Sequence, residues 1–127
     1  MLFRSKDFQV LIIDNIGMLS SLYKYATVTY IGGGFNKSGI HNTLEAAVYF
    51  KPVVFGPNYQ KFKEANELID RGGAFSINNK SDFENSMNQL FNDLSFQEYA
   101  GQQSGRYVKE HTGATENIME HIRKSVC

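Results

Sequence analysis

Residues 27–34 read TVTYIGGG and residues 52–58 read PVVFGPN, and these two stretches decide the fold. Each is a short run of β-branched and apolar residues that stops at glycine, which is typical of a strand followed by a loop. Between them, Leu44, Ala47 and Val48 recur at helical spacing. A strand, a helix and a strand in this order predict a parallel pair, because parallel strands need a crossover connection.

The same alternation extends in both directions along the chain. Residues 10–13 (VLII) form a continuous apolar run, which predicts a further strand buried on both faces. Residues 74–77 predict a short fourth strand, and residues 81–84 (SDFE) have the capping-box spacing that starts a helix. We expect Gly101 and Gly105 to weaken the helical segment that follows. The pattern predicts an α/β fold with a mostly parallel sheet and C-terminal helices.

Length and charge narrow the class of protein. The 127 residues fit one domain, and 13 basic residues balance 13 acidic ones. This balance argues against nucleic-acid binding by bulk electrostatics. The single cysteine, Cys127, excludes an intramolecular disulfide, and no apolar run approaches the roughly 18 residues of a membrane span. We expect a neutral, soluble, intracellular domain or a piece of a larger protein.

Ligands of parallel α/β sheets bind beyond the carboxyl ends of the strands, so the loop after residue 31 is a candidate site. Three consecutive glycines there admit a ligand close to the backbone, but a tight turn uses glycine as well. The loop carries neither common nucleotide fingerprint. His41 follows Ile40 where a P-loop has Ser or Thr after its Lys, and Lys37 stands where a dinucleotide-binding loop has glycine.

The segment that starts the next helix carries His41, Asn42 and Glu45. Asn42 and Glu45 have the spacing of a helix cap with its capping-box partner. Alternatively, both side chains face the ligand-bearing edge, where the carboxylate would accept hydrogen bonds from a ribose diol. Metal binding by His41 and Glu45 lacks the further ligands that zinc requires. Lys61 in the following loop could meet an anion, although a lone lysine at a helix start is usually solvated.

Several segments in register resemble the C-terminal part of 3-deoxy-D-manno-octulosonic acid (Kdo) transferases. They are residues 10–19 (VLIIDNIGML), 30–35 (YIGGGF), 39–47 (GIHNTLEAA) and 51–58 (KPVVFGPN). These bacterial glycosyltransferases attach Kdo to lipid A precursors in lipopolysaccharide biosynthesis. The resemblance implies a GT-B architecture, in which two Rossmann-like domains face a cleft and the C-terminal one holds the nucleotide-sugar donor, CMP-Kdo.

The resemblance also implies roles for particular residues. By position, Arg4 and Ser5 would lie near the donor phosphate, and Asn42 and Glu45 would contact the nucleotide ribose and nearby polar groups. His41 precedes this pair in the same motif. The other implied donor-binding residues are the glycines beneath the donor and the pair that borders its base or phosphate side: Gly32, Gly33, Gly34, Gly56 and Pro57. The chain departs from the family pattern at Met18, Ile40 and Lys61, where Glu, Gly and Asn are common.

The resemblance implies that residues 1–127 are a single domain, a fragment of the nucleotide-sugar-binding domain, with the N-terminal acceptor and catalytic domain absent. No catalytic residue and no metal site are then expected in the chain, and CMP-Kdo would be a donor substrate rather than a cofactor. The lipid A precursor would bind the missing domain, on the cytoplasmic side of the bacterial inner membrane. The fragment alone would be inactive.

Two other functions remain open at this stage. One is a non-catalytic α/β regulatory or interaction module whose loop glycines are incidental. The other is a fragment of a GT-B enzyme that uses a UDP-sugar. If the chain is a fragment that lacks the leading strands of its domain, a sheet edge that they would cover is exposed. Such edges pair with other chains, so self-association into a homo-oligomer is predicted, through that edge or the former interdomain face.

Overall fold

The computed structural model describes residues 9–10, 12–13 and 18–111. A one-turn helix, α1 (Leu19–Leu22), and a 3-10 turn (Tyr23–Tyr25) precede the first strand. The remaining elements are β1 (Thr29–Ile31), α2 (Leu44–Ala47), β2 (Val53–Phe55), α3 (Lys63–Arg71), β3 (Ala74–Ser76), α4 (Lys80–Asn92) and α5 (Leu94–His111). Between residues 27 and 111, the predicted order of strands and helices is confirmed.

The three strands form one parallel sheet in the order β1-β2-β3. Tyr30 pairs with Val54 in the first ladder, and Phe55 pairs with Ser76 in the second. The predicted α/β fold with a mostly parallel sheet is therefore confirmed.

Helices cover both faces of the central strand. Val53 and Phe55 are fully buried in a cluster that includes Ala47 of α2, Leu68 of α3 and other residues. Val54 enters a second cluster with residues of α4 and α5. Because successive side chains of a strand point to opposite faces, β2 anchors both halves of the core. This double burial is why PVVF reads as an uninterrupted apolar run.

The strand predicted at residues 10–13 is wrong at the positions that the structure describes. Val10, Ile12 and Ile13 are in no strand, and the first two are 72% and 68% exposed. Leu11 lies outside the described residues. A buried parallel strand requires a neighbouring strand and cover on both faces, and no described element supplies them here.

The start of α4 also differs from the prediction. Asn79, rather than Ser81, caps the helix, since its side-chain oxygen accepts a hydrogen bond from the backbone nitrogen of Asp82 at 2.8 Å. The Asp82 carboxylate in turn accepts from the backbone nitrogen of Asn78 at 2.9 Å. The capping residues thus lie two positions earlier, because Asn79 has the extended backbone that an N-cap requires.

Gly101 and Gly105 do not interrupt α5, which runs through both. They admit Phe50, whose positive φ of 61° turns the chain after α2. A Cβ on Gly101 would lie 2.5 Å from the Phe50 carbonyl oxygen, and one on Gly105 would lie 2.1 Å from the Phe50 ring. The two glycines therefore form the notch by which α5 packs on the segment leading into β2.

We predict that Gly101→Ala destabilises the protein although alanine favours helix. The helix-propensity gain is about 1 kcal/mol, whereas overpacking against a backbone carbonyl costs about 1–3 kcal/mol and the carbonyl has little room to move. Urea unfolding followed by circular dichroism measures the difference. Gln102→Ala, at the next and exposed position of α5, is the matched control and should change stability little. A variant as stable as the wild type would contradict the close contact.

A polar cluster ties α3 to the end of α5. Arg71 pairs with Glu110, and the His111 ring stacks on Tyr107 at a centroid distance of 4.1 Å while its Nε2 lies 3.3 Å from a Glu67 oxygen. Burial, followed by a hydrogen bond to the Glu67 carboxylate, raises the pKa of Tyr107 to about 12. The folded state therefore favours the neutral phenol.

We predict a pH-dependent loss of stability that depends on Tyr107. Because its folded-state pKa is about 12 and its ordinary value is 10.0, the stabilisation is complete below pH 10 and is lost as the pH rises through 12. Urea unfolding between these values should show the decline, and Tyr107→Phe should reduce it. Tyr25→Phe, which removes an exposed tyrosine, should leave the decline unchanged. An identical decline in the Tyr107→Phe variant would contradict this assignment.

Candidate functional site

The loops that follow β1 and β2 lie side by side at the carboxyl edge of the sheet, as predicted. We call residues 32–41 the glycine loop and residues 56–62 the proline loop. Asn58 joins them: its backbone nitrogen donates to the Gly34 oxygen at 2.8 Å, and its carbonyl accepts from the Ile40 nitrogen at 3.1 Å. Its side-chain nitrogen donates to the Asn36 oxygen at 2.7 Å. The two loops therefore form one hydrogen-bonded unit.

Gly34 and Gly56 are in direct backbone contact. A Cβ on Gly34 would lie 2.4 Å from the Gly56 nitrogen, and a Cβ on Gly56 would lie 2.7 Å from the Gly34 carbonyl carbon. Both glycines are buried. Contact between the loops thus requires glycine at these two positions, whether or not a ligand binds.

The His41 ring lies over Gly32 and Gly33. The His41 nitrogen donates to the Gly32 oxygen at 2.9 Å, which closes the glycine loop on itself. Gly33 has a φ of +88°, and a Cβ there would lie 2.5 Å from the Gly39 oxygen. A Cβ on Gly32 would meet only the His41 ring, at 3.8 Å. Loop geometry therefore explains Gly33, whereas Gly32 has room for a side chain.

Asn42 binds the start of α2, as the cap interpretation predicts. Its Oδ1 accepts from the backbone nitrogen of Leu44 at 2.9 Å. The N-cap position itself is Thr43, whose hydroxyl is buried and has no hydrogen-bond partner among the described residues. α2 has only four residues, Leu44–Ala47, so the helix predicted from Leu44, Ala47 and Val48 is present but spans a single turn. Because peptide dipoles add along a helix, one turn contributes little charge stabilisation at its N-terminus.

Glu45 is exposed on α2 and makes no described hydrogen bond. Its charge reaches the buried Tyr23: burial raises the pKa of the Tyr23 phenol, and the Glu45 carboxylate raises it further. Glu45 does not return a hydrogen bond to the backbone at the start of α2, so the predicted capping box is incomplete. Its carboxylate therefore remains available to a ligand.

A cavity of about 380 Å³ opens between the glycine loop and the proline loop. Its lining residues are Lys37, Gly39, Asn58, Gln60 and Lys61. Sequence reasoning missed Lys37 as a candidate and interpreted Lys61 as solvated. Both lysines follow predicted strands, and this shared position at one sheet edge is the sequence signal that could have identified them as candidates.

The remaining observations concern the other predicted site residues, metal ligands and membrane helices. Arg4 and Ser5, predicted near a donor phosphate, lie outside the described residues, and Pro57 is half-buried beside Gly56. Residues 9–10, 12–13 and 18–111 contain no group of three acidic, histidine or cysteine side chains placed to hold a metal ion. In the same ranges, no helix combines the length and apolar character needed to cross a membrane.

Comparisons with known proteins agree with the fold. No family model matches the chain. It is 26% identical over 112 residues to the 3-deoxy-D-manno-octulosonic acid transferase of Aquifex aeolicus, a match that covers 85% of this chain and 32% of the relative. Against the enzyme of the same name from Rickettsia typhi it is 33% identical over 84 residues, covering 65% of this chain and 18% of the relative.

A solved structure supports the same conclusion. The C-terminal CMP-Kdo binding domain of WaaA from Acinetobacter baumannii superposes with a TM-score of 0.64 at 26% identity, over 76% of this chain and 51% of that domain. The fold is thus that of a GT-B C-terminal α/β domain. More particularly, the chain is similar to the C-terminal part of Kdo transferases. It spans about a third or less of the length of these curated relatives.

We predict that two neighbouring glycines respond differently to alanine. Gly34→Ala should destabilise the protein by about 1–3 kcal/mol, because its Cβ would overlap the Gly56 backbone. Gly32→Ala should leave stability within about 1 kcal/mol, since the nearest atoms stand at ordinary contact distance. Urea midpoints of the two variants provide the comparison. Equal destabilisation by both would contradict the loop geometry described above.

Proposed function

We propose that this chain is the donor-binding half of a Kdo transferase and holds CMP-Kdo at the carboxyl edge of the sheet. The observation that carries the proposal is the 26% identity and TM-score of 0.64 to a domain named for CMP-Kdo binding. The paired glycine and proline loops support it, because they form a preformed surface where α/β sheets bind ligands.

Residues of the α2 segment would hold the nucleotide. The exposed Glu45 carboxylate would accept hydrogen bonds from the ribose hydroxyls. Asn42 uses its Oδ1 to cap α2, and its amide nitrogen donates no hydrogen bond among the described residues, so it can donate to a ligand oxygen. Proximity of these two side chains along one helical turn supports a shared role.

The remaining proposed contacts concern the phosphate and the base. Gly32 would support the donor from below, and its steric freedom is consistent with a backbone that a ligand approaches. Gly33 and Gly34 would shape the loop under the donor, with His41 packed on it. Arg4 and Ser5 would lie near the phosphate. Gly56 and Pro57 would border the base or phosphate side of the donor.

The whole protein would then be an inverting glycosyltransferase. A general base of the N-terminal domain would deprotonate a hydroxyl of the lipid A precursor, which attacks the anomeric carbon of Kdo as CMP leaves. The present chain would orient the donor and stabilise the leaving phosphate through backbone donors and cations. α2 has only one turn, so its dipole is a minor contribution. Transfer would take place on the cytoplasmic side of the bacterial inner membrane.

We predict that the chain binds CMP and that Glu45→Ala weakens this binding at least about tenfold, the effect of losing roughly 1.4 kcal/mol of charged hydrogen bonding. An NMR titration with CMP provides the measurement. Glu98→Ala on α5 is the matched control, because this glutamate is also exposed but lines a separate cavity with Thr27 and Lys51 at the opposite sheet edge.

The titration also separates the other functions. A preference for UDP over CMP in a competition experiment would favour a UDP-sugar enzyme. If CMP induces no chemical-shift changes, and Asn42→Ala and Glu45→Ala do not alter the titration, the proposed site is overturned. A non-catalytic regulatory or interaction module is then favoured.

Homo-oligomer formation stays a prediction. Among the described residues β1 has a strand neighbour on one side only, and Tyr30 on this strand is 43% exposed, although its ring meets Phe83 edge-on at 6.2 Å. An unpaired strand edge of this kind can associate with a second copy.

A further inference from the structure

Two lysines share the cavity between the glycine loop and the proline loop. Lys37 comes from the loop after β1 and Lys61 from the loop after β2, and with Gly39, Asn58 and Gln60 they line a space of about 380 Å³. This volume lies within the range of small-molecule sites. None of the described residues that line the cavity is acidic. Its charged lining is therefore cationic.

Neither lysine is neutralised by a carboxylate in the described part of the chain. Other lysines differ: Lys63 lies 3.7 Å from Glu67, and Lys80 lies 3.8 Å from Glu84. The Lys61 ammonium instead sits 5.4 Å from the centre of the Phe62 ring. A ring face attracts a cation without cancelling its charge, so Lys61 keeps its capacity to bind an anion.

The walls of the cavity are held in place before any ligand arrives. Gly39 has a φ of +86°, and a Cβ there would lie 2.7 Å from the Phe62 ring and 3.1 Å from a Lys61 side-chain carbon. Asn58, between the two lysines, bonds to the glycine loop through its backbone and side chain. Because both loops belong to one hydrogen-bonded unit, the backbone positions from which the two lysines extend are fixed relative to each other.

We propose that Lys37 and Lys61 form a binding site for an oxyanion of the donor, deepening the proposed function on which this inference rests. CMP-Kdo offers two such groups, the phosphate and the carboxylate of the sugar acid, and either matches a pair of ammonium groups. The pair would neutralise the leaving phosphate or select a sugar that bears a carboxylate. In the second case these lysines determine which donor sugars this chain binds.

The test compares the double variant Lys37→Gln/Lys61→Gln with the wild type by NMR titration with cytidine, CMP and CMP-Kdo. We expect the double variant to lose about tenfold or more in affinity for the anionic ligand, and to lose part of the salt dependence of binding. Affinity for cytidine, which has no anionic group, should stay unchanged. A loss already present with CMP assigns the site to the phosphate, and a loss confined to CMP-Kdo assigns it to the carboxylate.

The double variant Lys80→Gln/Lys109→Gln is the matched control. It removes the same charge, and Lys109 lies 5.1 Å from the Phe50 ring centre much as Lys61 lies over Phe62. It should bind all three ligands as the wild type does. Equal losses in both double variants would overturn the inference, since bulk charge would then explain the effect. Equal losses with cytidine and CMP would also overturn it.

The outcome separates this inference from the proposed function. If the wild type binds CMP-Kdo and the Lys37→Gln/Lys61→Gln variant binds it equally well, the lysine site is wrong and the donor-binding function stands. If the wild type binds neither CMP nor CMP-Kdo, the donor-binding function fails together with the lysine site. The dispersion of the variant's NMR spectrum verifies that the fold is retained.

Discussion

The backbone contact between Gly34 and Gly56 is the constraint on which the carboxyl edge of this domain depends. Parallel strands β1 and β2 deliver their following loops to the same edge, and the absence of a Cβ at both positions lets those loops meet. Asn58 then bonds across the junction in three places. The glycine loop is consequently closed on itself and joined to the proline loop, and Lys37, Lys61 and α2 extend from this hydrogen-bonded unit.

A second close contact lies at the opposite edge of the sheet and limits the length of α2. Phe50 adopts a positive φ and fits the notch of Gly101 and Gly105 on α5. The chain must make this turn directly before β2, so α2 ends after one turn. The electrostatics of the site therefore depend on side chains and loop backbone groups rather than on a helix dipole. The two helix glycines are sites of close packing, not weak points.

Sequence patterns correctly predicted the elements whose residues are buried on the faces that the pattern indicates. PVVF is apolar on both faces because β2 is buried on both, and the glycines that end the strands are visible in the printed sequence. The same rule was wrong for residues 10–13, where Val10 and Ile12 are exposed. An apolar run shows what a segment could bury, but not whether a neighbour is there to bury it. The cap of α4 shifted from Ser81 to Asn79, because capping depends on backbone conformation as well as residue type.

By itself, the sequence determined the parallel α/β class, the two loops at the carboxyl edge, and the resemblance to the C-terminal part of Kdo transferases, since these depend on residue types in a fixed order along the chain. Only the tertiary structure decided that Gly33 and Gly34 serve loop geometry while Gly32 is sterically free. It also decided that Lys37 and Lys61, 24 positions apart in the chain, line one cavity. Contacts of this kind depend on how neighbouring strands place their loops in space, which the linear order of residues does not specify.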